Sequence, residues 1–234
     1  MGYDAGKSRL DAKLLKNIPL FSELDDEDIQ RIADLMVTKR YKKNNLIIFE
    51  EDLGRNMFII KEGRVKISGI SDEGGEAIFS ILGEGEFFGE LSIIDGLPRS
   101  ATVTSIDDVD LWVLNRGDFL EMLQKFPQIA IVLLKELARR IRRSDLQIKS
   151  LSLKDARGRV GATLMRLAED IGLFRGGKVV IDELPLQRDL ASIAGTSRET
   201  ISRVIKKFED EGLMVKVENS LVFNDFDKFK RIFS

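Results

Sequence analysis

The stretch FFGELSIIDGLPRSATV, from Phe87 to Val103, contains two notable pairs of residues: Gly89-Glu90 precedes a short apolar segment, and Arg99-Ser100 follows it. The flanking apolar runs are typical of β-strands. A lone Arg-Ser pair is usually part of the surface, and a lone glutamate is usually a solvated carboxylate. Both pairs in one short segment between strands instead indicate a binding site, whose ligand has to be inferred from the rest of the chain.

Short apolar or alternating runs extend from Thr38 to about Leu114, separated by Gly, Asp and Asn. The runs are LIIFE, MFIIKEG, VKISGI, AIFSIL, ATVTSI and VDLWVL. Their regular spacing predicts an antiparallel sandwich or barrel. Glycines suit the turns between such strands, and we expect turns at Gly63, Gly74, Gly75, Gly83 and Gly85.

Helical patterns lie on either side of these runs. The segment NIPLFSELDDEDIQRIADLM predicts a helix that Ser22 or Asp25 caps. Further helices are predicted from Asn115 to Phe126 and from Asp155 to Ile171, and KVVIDELPL predicts a strand and a connection.

The longest helical pattern runs from Pro127 to about Ser152. Apolar residues recur in it every seven positions, which is typical of a helix that pairs with a second copy. A helix packed on its own domain is the alternative, and the regular spacing favours the dimer. The expected seam, in which Ser144 is the polar member, consists of Ala130, Leu134, Leu137, Ile141, Ser144, Ile148 and Leu151.

The composition excludes several classes of protein. The chain has no Cys and no His, so disulfides, Cys/His zinc sites, Cys-ligated clusters and Ser-His-Asp catalysis are excluded. We therefore expect no enzyme, no catalytic residues and no metal or prosthetic group. The net charge of −2 gives no global basic field. No apolar run is long enough for a membrane span, and the first residues lack a signal-peptide core, so we expect a cytoplasmic protein without a membrane partner.

A helix–turn–helix pattern begins at Gln187. One helix is predicted from Gln187 to Ala194, Gly195-Thr196 forms the turn, and Ser197 caps a second helix from Arg198 to about Glu209. An ordinary solvated amphipathic helix is the alternative. The turn spacing, the cap and the following hairpin VKV-ENS-LVF favour a helix that reads the DNA major groove. Its apolar face is Ile201, Val204, Ile205 and Phe208.

The segments DLASIAG and SRETISR together resemble the recognition region of the CRP/FNR superfamily of bacterial transcription regulators. The resemblance implies that Arg198, Glu199 and Arg203 read an operator half-site and that the hairpin around Glu218-Asn219 is the wing. The family's phosphate-contacting Thr or Ser is replaced by Leu186, so Gln187 and Arg188 are the expected substitutes. The remaining expected DNA-binding residues are Ser197, Thr200, Ser202 and Lys206.

The same resemblance covers nearly the whole chain, and Phe87–Val103 is similar to the phosphate-binding cassette of cyclic-nucleotide-binding domains. It implies that Arg99, Ser100 and backbone amides bind the phosphate and that Glu90 accepts from the ribose 2′-hydroxyl. A cyclic phosphate needs a fixed cation and nearby N–H or hydroxyl donors, which agrees with these residue types. The expected cassette residues are Gly89, Glu90, Leu91, Ser92, Arg99, Ser100 and Ala101.

The long helix supplies three further expected ligand-binding residues. By resemblance, Arg140 lies near Glu90 and the ribose, and Ser144 and Asp145 meet the adenine amino group across the dimer. The Ser-Asp pair departs from the commonest Thr-Ser or Thr-Asn, and Ser144 could instead serve only to set the register of the two helices.

The resulting expectation is an α+β chain in three parts: an N-terminal antiparallel jelly-roll or double-stranded β-helix barrel (1–126), a long dimerisation helix (127–153) and a winged helix-turn-helix (154–234). The expected function is a homodimeric transcription regulator that cyclic AMP controls. Expected partners are a palindromic double-stranded operator, with half-sites about 34 Å apart, and RNA polymerase. A different effector or none is one alternative, and a regulatory module of a larger signalling assembly is another.

Overall fold

The computed structural model describes residues 12–234, with side chains from Leu14 onward. The chain divides into two compact units, one ending at Ile141 and the other running from Arg142 to Ser234. The helices are α1 (Ala12–Lys16), α2 (Asp26–Leu35), α3 (Glu90–Asp95), α4 (Arg116–Lys125), α5 (Pro127–Leu153), α6 (Ala156–Ile171), α7 (Gln187–Ala194), α8 (Arg198–Asp210) and α9 (Phe226–Phe233).

The strands of the first unit are β1 (Val37–Tyr41), β2 (Leu46–Ile48), β3 (Asn56–Glu62), β4 (Val65–Ile70), β5 (Glu76–Leu82), β6 (Phe87–Phe88), β7 (Thr102–Ser105) and β8 (Val109–Asn115). They form two four-stranded antiparallel sheets, in the orders β1-β8-β3-β6 and β2-β7-β4-β5. The predicted antiparallel β-domain is confirmed. Two of its strands, β1 and β6, are absent from the predicted runs.

Alternation along β3 assigns its two faces. Phe58 and Ile60 pack in an apolar cluster with residues of the other sheet, including Val65 and Val103. Met57 and Ile59 belong to a second cluster, which the N-terminal helices and the start of α5 share. Successive side chains of a strand point to opposite faces, so the first sheet has a helical layer on one side and a strand layer on the other.

Side-chain caps fix the starts of several helices. Asp25, not Ser22, caps α2, because its carboxylate accepts from the backbone N–H of Asp28 at 2.8 Å. The Ser22 hydroxyl donates to the Pro19 carbonyl instead. Asn115 caps α4 and Asp155 caps α6 in the same way, so the two helices predicted from these residues begin one position later, with the predicted first residue as the cap.

The second unit has a small sheet in the order β11-β12-β10-β9, formed by β9 (Leu173–Arg175), β10 (Lys178–Ile181), β11 (Met214–Val217) and β12 (Ser220–Phe223). The helices α6 to α9 share one apolar core with this sheet. Phe208, Phe223, Phe229 and Phe233 are in ring contact there, with centroid distances of 4.6–5.6 Å. None of the helices from residue 12 onward is long and apolar enough to cross a membrane.

Candidate functional sites

Gly89 joins β6 to α3 and has a left-handed backbone, with φ of 80°. A Cβ atom at this position would lie 2.7 Å from Arg99 Nη1. Both the dihedral angle and the contact therefore require glycine. This tight junction brings the backbone of the Phe87–Val103 stretch against the Arg99 side chain.

Arg99 is a buried cation, with only 8% of the residue exposed. Its Nη1 donates to the Gly89 carbonyl at 2.7 Å and to Ser92 Oγ at 2.8 Å, and its Nη2 donates to the Asn56 carbonyl at 2.8 Å. Burial lowers the pKa of Arg99, and the Glu90 carboxylate opposes this shift. The guanidinium is thus held in one orientation by neutral acceptors.

The loop before β3 closes over Arg99, and sequence reasoning did not identify its role. A Cβ at Gly54 would lie 2.1 Å from Ser92 Oγ and 2.8 Å from Arg99 Nε. The backbone N–H of Glu51 donates to the Arg99 carbonyl at 2.9 Å, and the Arg99 N–H donates to the Asp52 carbonyl at 2.9 Å. The signal in the sequence was a lone glycine between Leu53 and Arg55, and isolated glycines occur in many surface turns.

Glu90 is a buried carboxylate with a defined partner. Its side chain is 3% exposed and lies 3.1 Å from Arg140 Nη1. Arg140 Nη2 also donates to the Phe87 carbonyl at 2.6 Å, and the guanidinium lies 4.5 Å from the Phe87 ring centroid. Burial raises the pKa of Glu90, and Arg140 partly offsets this effect. The structure therefore brings a residue of α5 to the start of α3.

The other expected ligand-binding residues differ in exposure. Ser92 is buried, Ala101 is half-buried, and Leu91 and Ser100 are exposed. Ser144 and Asp145 belong to the second unit and are both exposed. Gly89, Glu90, Ser92, Arg99 and Arg140 form one contiguous group. A buried cation and a buried carboxylate side by side can hold a ligand that carries both an anion and a hydroxyl donor.

The helix–turn–helix has the predicted geometry. Gly195 ends α7 with a left-handed φ of 59°, and Ser197 caps α8 by accepting from the Thr200 N–H at 3.2 Å. Arg159 donates to the carbonyls of Ala194 and Gly195 at 3.0 and 3.1 Å, which fixes the turn. The buried residues of α8 are Ile201, Val204, Ile205 and Phe208, as the periodicity predicted.

The polar face of α8 points to solvent. Thr200 is half-buried, and the exposed residues are Ser197, Arg198, Glu199, Ser202, Arg203 and Lys206. Hydrogen bonds from its own backbone N–H and from the Ser197 hydroxyl lower the pKa of Glu199, so this side chain is an ionised acceptor. The face thus combines cationic donors with one carboxylate acceptor, as base-edge readout needs.

The start of α7 lacks a hydroxyl cap. Leu186 occupies the N-cap position without a side-chain hydrogen bond. Next to it, Gln187 is half-buried and Arg188 is exposed. The wing is the β11–β12 hairpin, whose turn contains Glu218 with φ of 51°.

Helix α5 has an exposed apolar face. Leu134, Ile141 and Ile148 are 62–64% exposed, and Leu151 is 46% exposed. Ala130 and Leu137 are half-buried, while Ser144 is exposed. These exposed apolar side chains recur at heptad spacing along α5, the pattern that the sequence predicted.

Comparison with known families matches residues 38–126 to the cyclic nucleotide-binding domain and residues 158–232 to the Crp-like helix-turn-helix domain. The cyclic AMP receptor protein of Thermus thermophilus is 34% identical over 200 residues, which cover 86% of this chain and 89% of that protein. The solved structure of the Thermus thermophilus catabolite activator protein has 31% identity and a TM-score of 0.53, and the match covers 92% of this chain and 97% of that one.

FixK2 from Bradyrhizobium japonicum has a similar fold, with a TM-score of 0.75 at 19% identity, over 85% of this chain and 98% of that one. The two domains occur in the order that the sequence predicted. The chain belongs to the CRP/FNR family of transcription regulators, with a cyclic nucleotide-binding domain followed by a DNA-binding helix-turn-helix domain.

Proposed function

We propose that the chain is a homodimeric transcription regulator whose binding to DNA is controlled by cyclic AMP. The observation that carries this proposal is the adjacent pair of buried charges, Arg99 and Glu90, at the Gly89 junction. Two buried charges of opposite sign next to a glycine-lined loop suit a ligand with one anionic group and a neighbouring hydroxyl.

Arg99 retains donors for a phosphate. A guanidinium has five N–H donors, and three hydrogen bonds from its Nη atoms are made to Gly89, Ser92 and Asn56. Its Nε meets no acceptor among residues 12–234. In the proposed complex this edge, the Ser100 hydroxyl and the amides around Leu91 and Ser92 bind the cyclic phosphate.

Glu90 is proposed to accept a hydrogen bond from the ribose 2′-hydroxyl. This role needs an ionised carboxylate, and Arg140 favours ionisation against the effect of burial. A ligand without this hydroxyl would leave Glu90 with Arg140 but without a donor from the ligand, so the site would discriminate against deoxyribose.

Ser144 and Asp145 are proposed to contact the base in the dimer. Asp145 can accept from the amino group of adenine, and it could also accept from the N–H groups of guanine. Cyclic GMP is therefore a rival ligand for the same site. A different effector, or none, is the other rival proposal within the family.

The C-terminal domain is proposed to read a palindromic site through Arg198, Glu199 and Arg203, with Gln187, Arg188, Ser197, Thr200, Ser202 and Lys206 contacting the DNA around them. The exposed apolar face of α5 is proposed to join two copies of the chain. Cyclic AMP would act by binding the DNA-competent state more tightly than the other state. The regulator is proposed to act in the cytoplasm together with RNA polymerase.

Calorimetric titration of the purified full chain with cyclic AMP, cyclic GMP and 5′-AMP tests the effector. Micromolar binding of cyclic AMP with much weaker binding of the other two would support the proposal. Preferential binding of cyclic GMP would show that the proposed site is correct but that the effector is cyclic GMP. If no cyclic nucleotide bound, the proposal that the site binds a cyclic nucleotide would be refuted.

A further inference from the structure

Each of the three guanidinium nitrogens of Arg140 donates a hydrogen bond. Nη1 meets Glu90 at 3.1 Å, Nη2 donates to the Phe87 carbonyl at 2.6 Å, and Nε meets Glu136 Oε1 at 3.3 Å. The first two contacts lie on the cassette, whereas Glu136 lies one turn earlier on α5 itself. Arg140 is thus held from two sides, and Glu136 supplies the contact from its own helix.

Glu136 is itself held in place. Its two carboxylate oxygens accept from Nε and Nη2 of Arg139, both at 2.9 Å, and its side chain is 20% exposed. A two-pronged pair of this kind fixes the plane of the carboxylate. The carboxylate then presents Oε1 to Arg140, so that Arg139, Glu136, Arg140 and Glu90 form one chain of alternating charges.

We propose that Glu136 is a positioning residue, which orients Arg140 toward Glu90 and thereby makes the site selective for a ligand with a ribose 2′-hydroxyl. The inference rests on the proposed function of Glu90. Arginine has many rotamers, and holding it in one of them has an entropic cost. A fixed carboxylate at its Nε removes part of that freedom before the ligand arrives.

A purely structural role for Glu136 is the competing explanation. Ion pairs at i,i+3 and i,i+4 spacing stabilise a helix only slightly. If Glu136 did no more than this, its loss would affect all ligands of the site equally. A positioning role predicts instead a change in the preference between two ligands that differ only at the 2′ position.

The experiment is calorimetric titration of the full chain with cyclic AMP and with its 2′-deoxy analogue. The variants are Glu136→Ala, which removes the acceptor, and Glu136→Gln, which keeps a neutral oxygen acceptor for Arg140. Glu121→Ala is the matched control, because Glu121 is an exposed carboxylate on α4. Circular dichroism and thermal melts of each variant establish that the fold is retained.

The wild type is expected to prefer cyclic AMP by about 10-fold or more, the range for a hydrogen bond to a charged group. Glu136→Ala should lower this ratio several-fold, Glu136→Gln should retain part of it, and Glu121→Ala should leave it unchanged. If Glu136→Ala lowered the affinities for both ligands equally, and so left their ratio at the wild-type value, the positioning role would be wrong. The proposed nucleotide site would not be contradicted by that result. If the wild type bound neither ligand, the proposed function would fail, and this inference with it.

Discussion

Arg99 Nη1 donates a hydrogen bond of 2.7 Å to the carbonyl oxygen of Gly89. A Cβ atom at position 89 would lie only 2.7 Å from the same nitrogen, so a side chain there would clash with Arg99. The buried cation therefore depends on a backbone conformation that only glycine adopts readily. This relationship links the stability of the first domain to the shape of its ligand site.

Replacement of Gly89 by alanine should destabilise the first domain by about 2–3 kcal/mol, because the backbone strain at positive φ adds to a clash with Arg99. Gly85 is the matched control, since it has the same φ of 80° and no neighbouring atom within 4 Å of the position that a Cβ would occupy. Gly85→Ala should lose only about 1 kcal/mol, the cost of the left-handed backbone alone. Urea unfolding followed by the fluorescence of Trp112, the single tryptophan, measures both, and equal losses would show that the contact with Arg99 is unimportant.

Arg99→Ala should abolish binding of cyclic AMP, because it removes the cation that the proposed phosphate site requires. The variant also removes one hydrogen-bond donor from each of the Gly89 and Asn56 carbonyls, so its fold has to be checked by circular dichroism. Arg99→Lys retains the charge without the planar geometry and should bind weakly. A calorimetric affinity of Arg99→Ala within twofold of the wild type would contradict the site.

The titration of Glu90 should be visible in the stability of the first domain. Burial raises the pKa of Glu90, so the folded state binds its proton more tightly than the unfolded state does. Its contribution to stability is therefore greatest at low pH and falls as the pH rises from about 4.3, the ordinary value, through the folded pKa. Urea unfolding at several pH values gives the free energy of unfolding of the wild type and of Glu90→Gln. As the pH rises through this range, the wild type should lose stability relative to Glu90→Gln. A shift in its favour would mean that Arg140 outweighs burial.

Arg203→Ala should weaken binding to the selected operator by about 1–3 kcal/mol, since it removes an arginine that is proposed to contact a base from the exposed face of α8. Dimerisation should not change. Lys43→Ala, which removes an exposed cation from the first domain, is the control for a general charge effect. Fluorescence anisotropy with operator and scrambled DNA gives the comparison, and an unaltered operator preference in Arg203→Ala would exclude the readout role.

Ile141→Asp should shift the chain from dimer to monomer, because it places a charge in the proposed seam of α5. Leu97→Asp is a matched control, since Leu97 is also 62% exposed but lies outside the helix. Sedimentation velocity at several concentrations distinguishes the species. A dimer that survives Ile141→Asp, or is equally disrupted by Leu97→Asp, would place the interface elsewhere.

The helix-turn-helix was the most predictable part of the structure. Its limits depend on local signals, namely the turn at Gly195 and the Ser197 cap, and α7 begins and ends at the predicted residues. In contrast, β1 carries Lys39 and Arg40 and gives no apolar run; it is held as an edge strand by pairing with β8, where Arg40 meets Asp110 at 2.6 Å. That partner lies far away in the sequence.

Helix α9 was missed although its sequence contains a signal. Phe226, Phe229 and Phe233 recur at helical spacing after Asp225, which caps the helix. The helix has only eight residues, which is too short for its periodicity to be recognised in the sequence. The contacts of Gly54 and Glu136 were not predictable in the same sense, because a glycine in a loop and a glutamate on a helix become significant only through Arg99 and Arg140, which the tertiary fold brings to them.

The most direct test of the account measures operator binding by fluorescence anisotropy with and without cyclic AMP, for the wild type and for Arg99→Ala. Cyclic AMP should tighten binding of the wild type to the operator and should have no effect on operator binding by Arg99→Ala. Wild-type binding that is the same with and without saturating cyclic AMP would contradict the central claim that this nucleotide controls the DNA-binding domain.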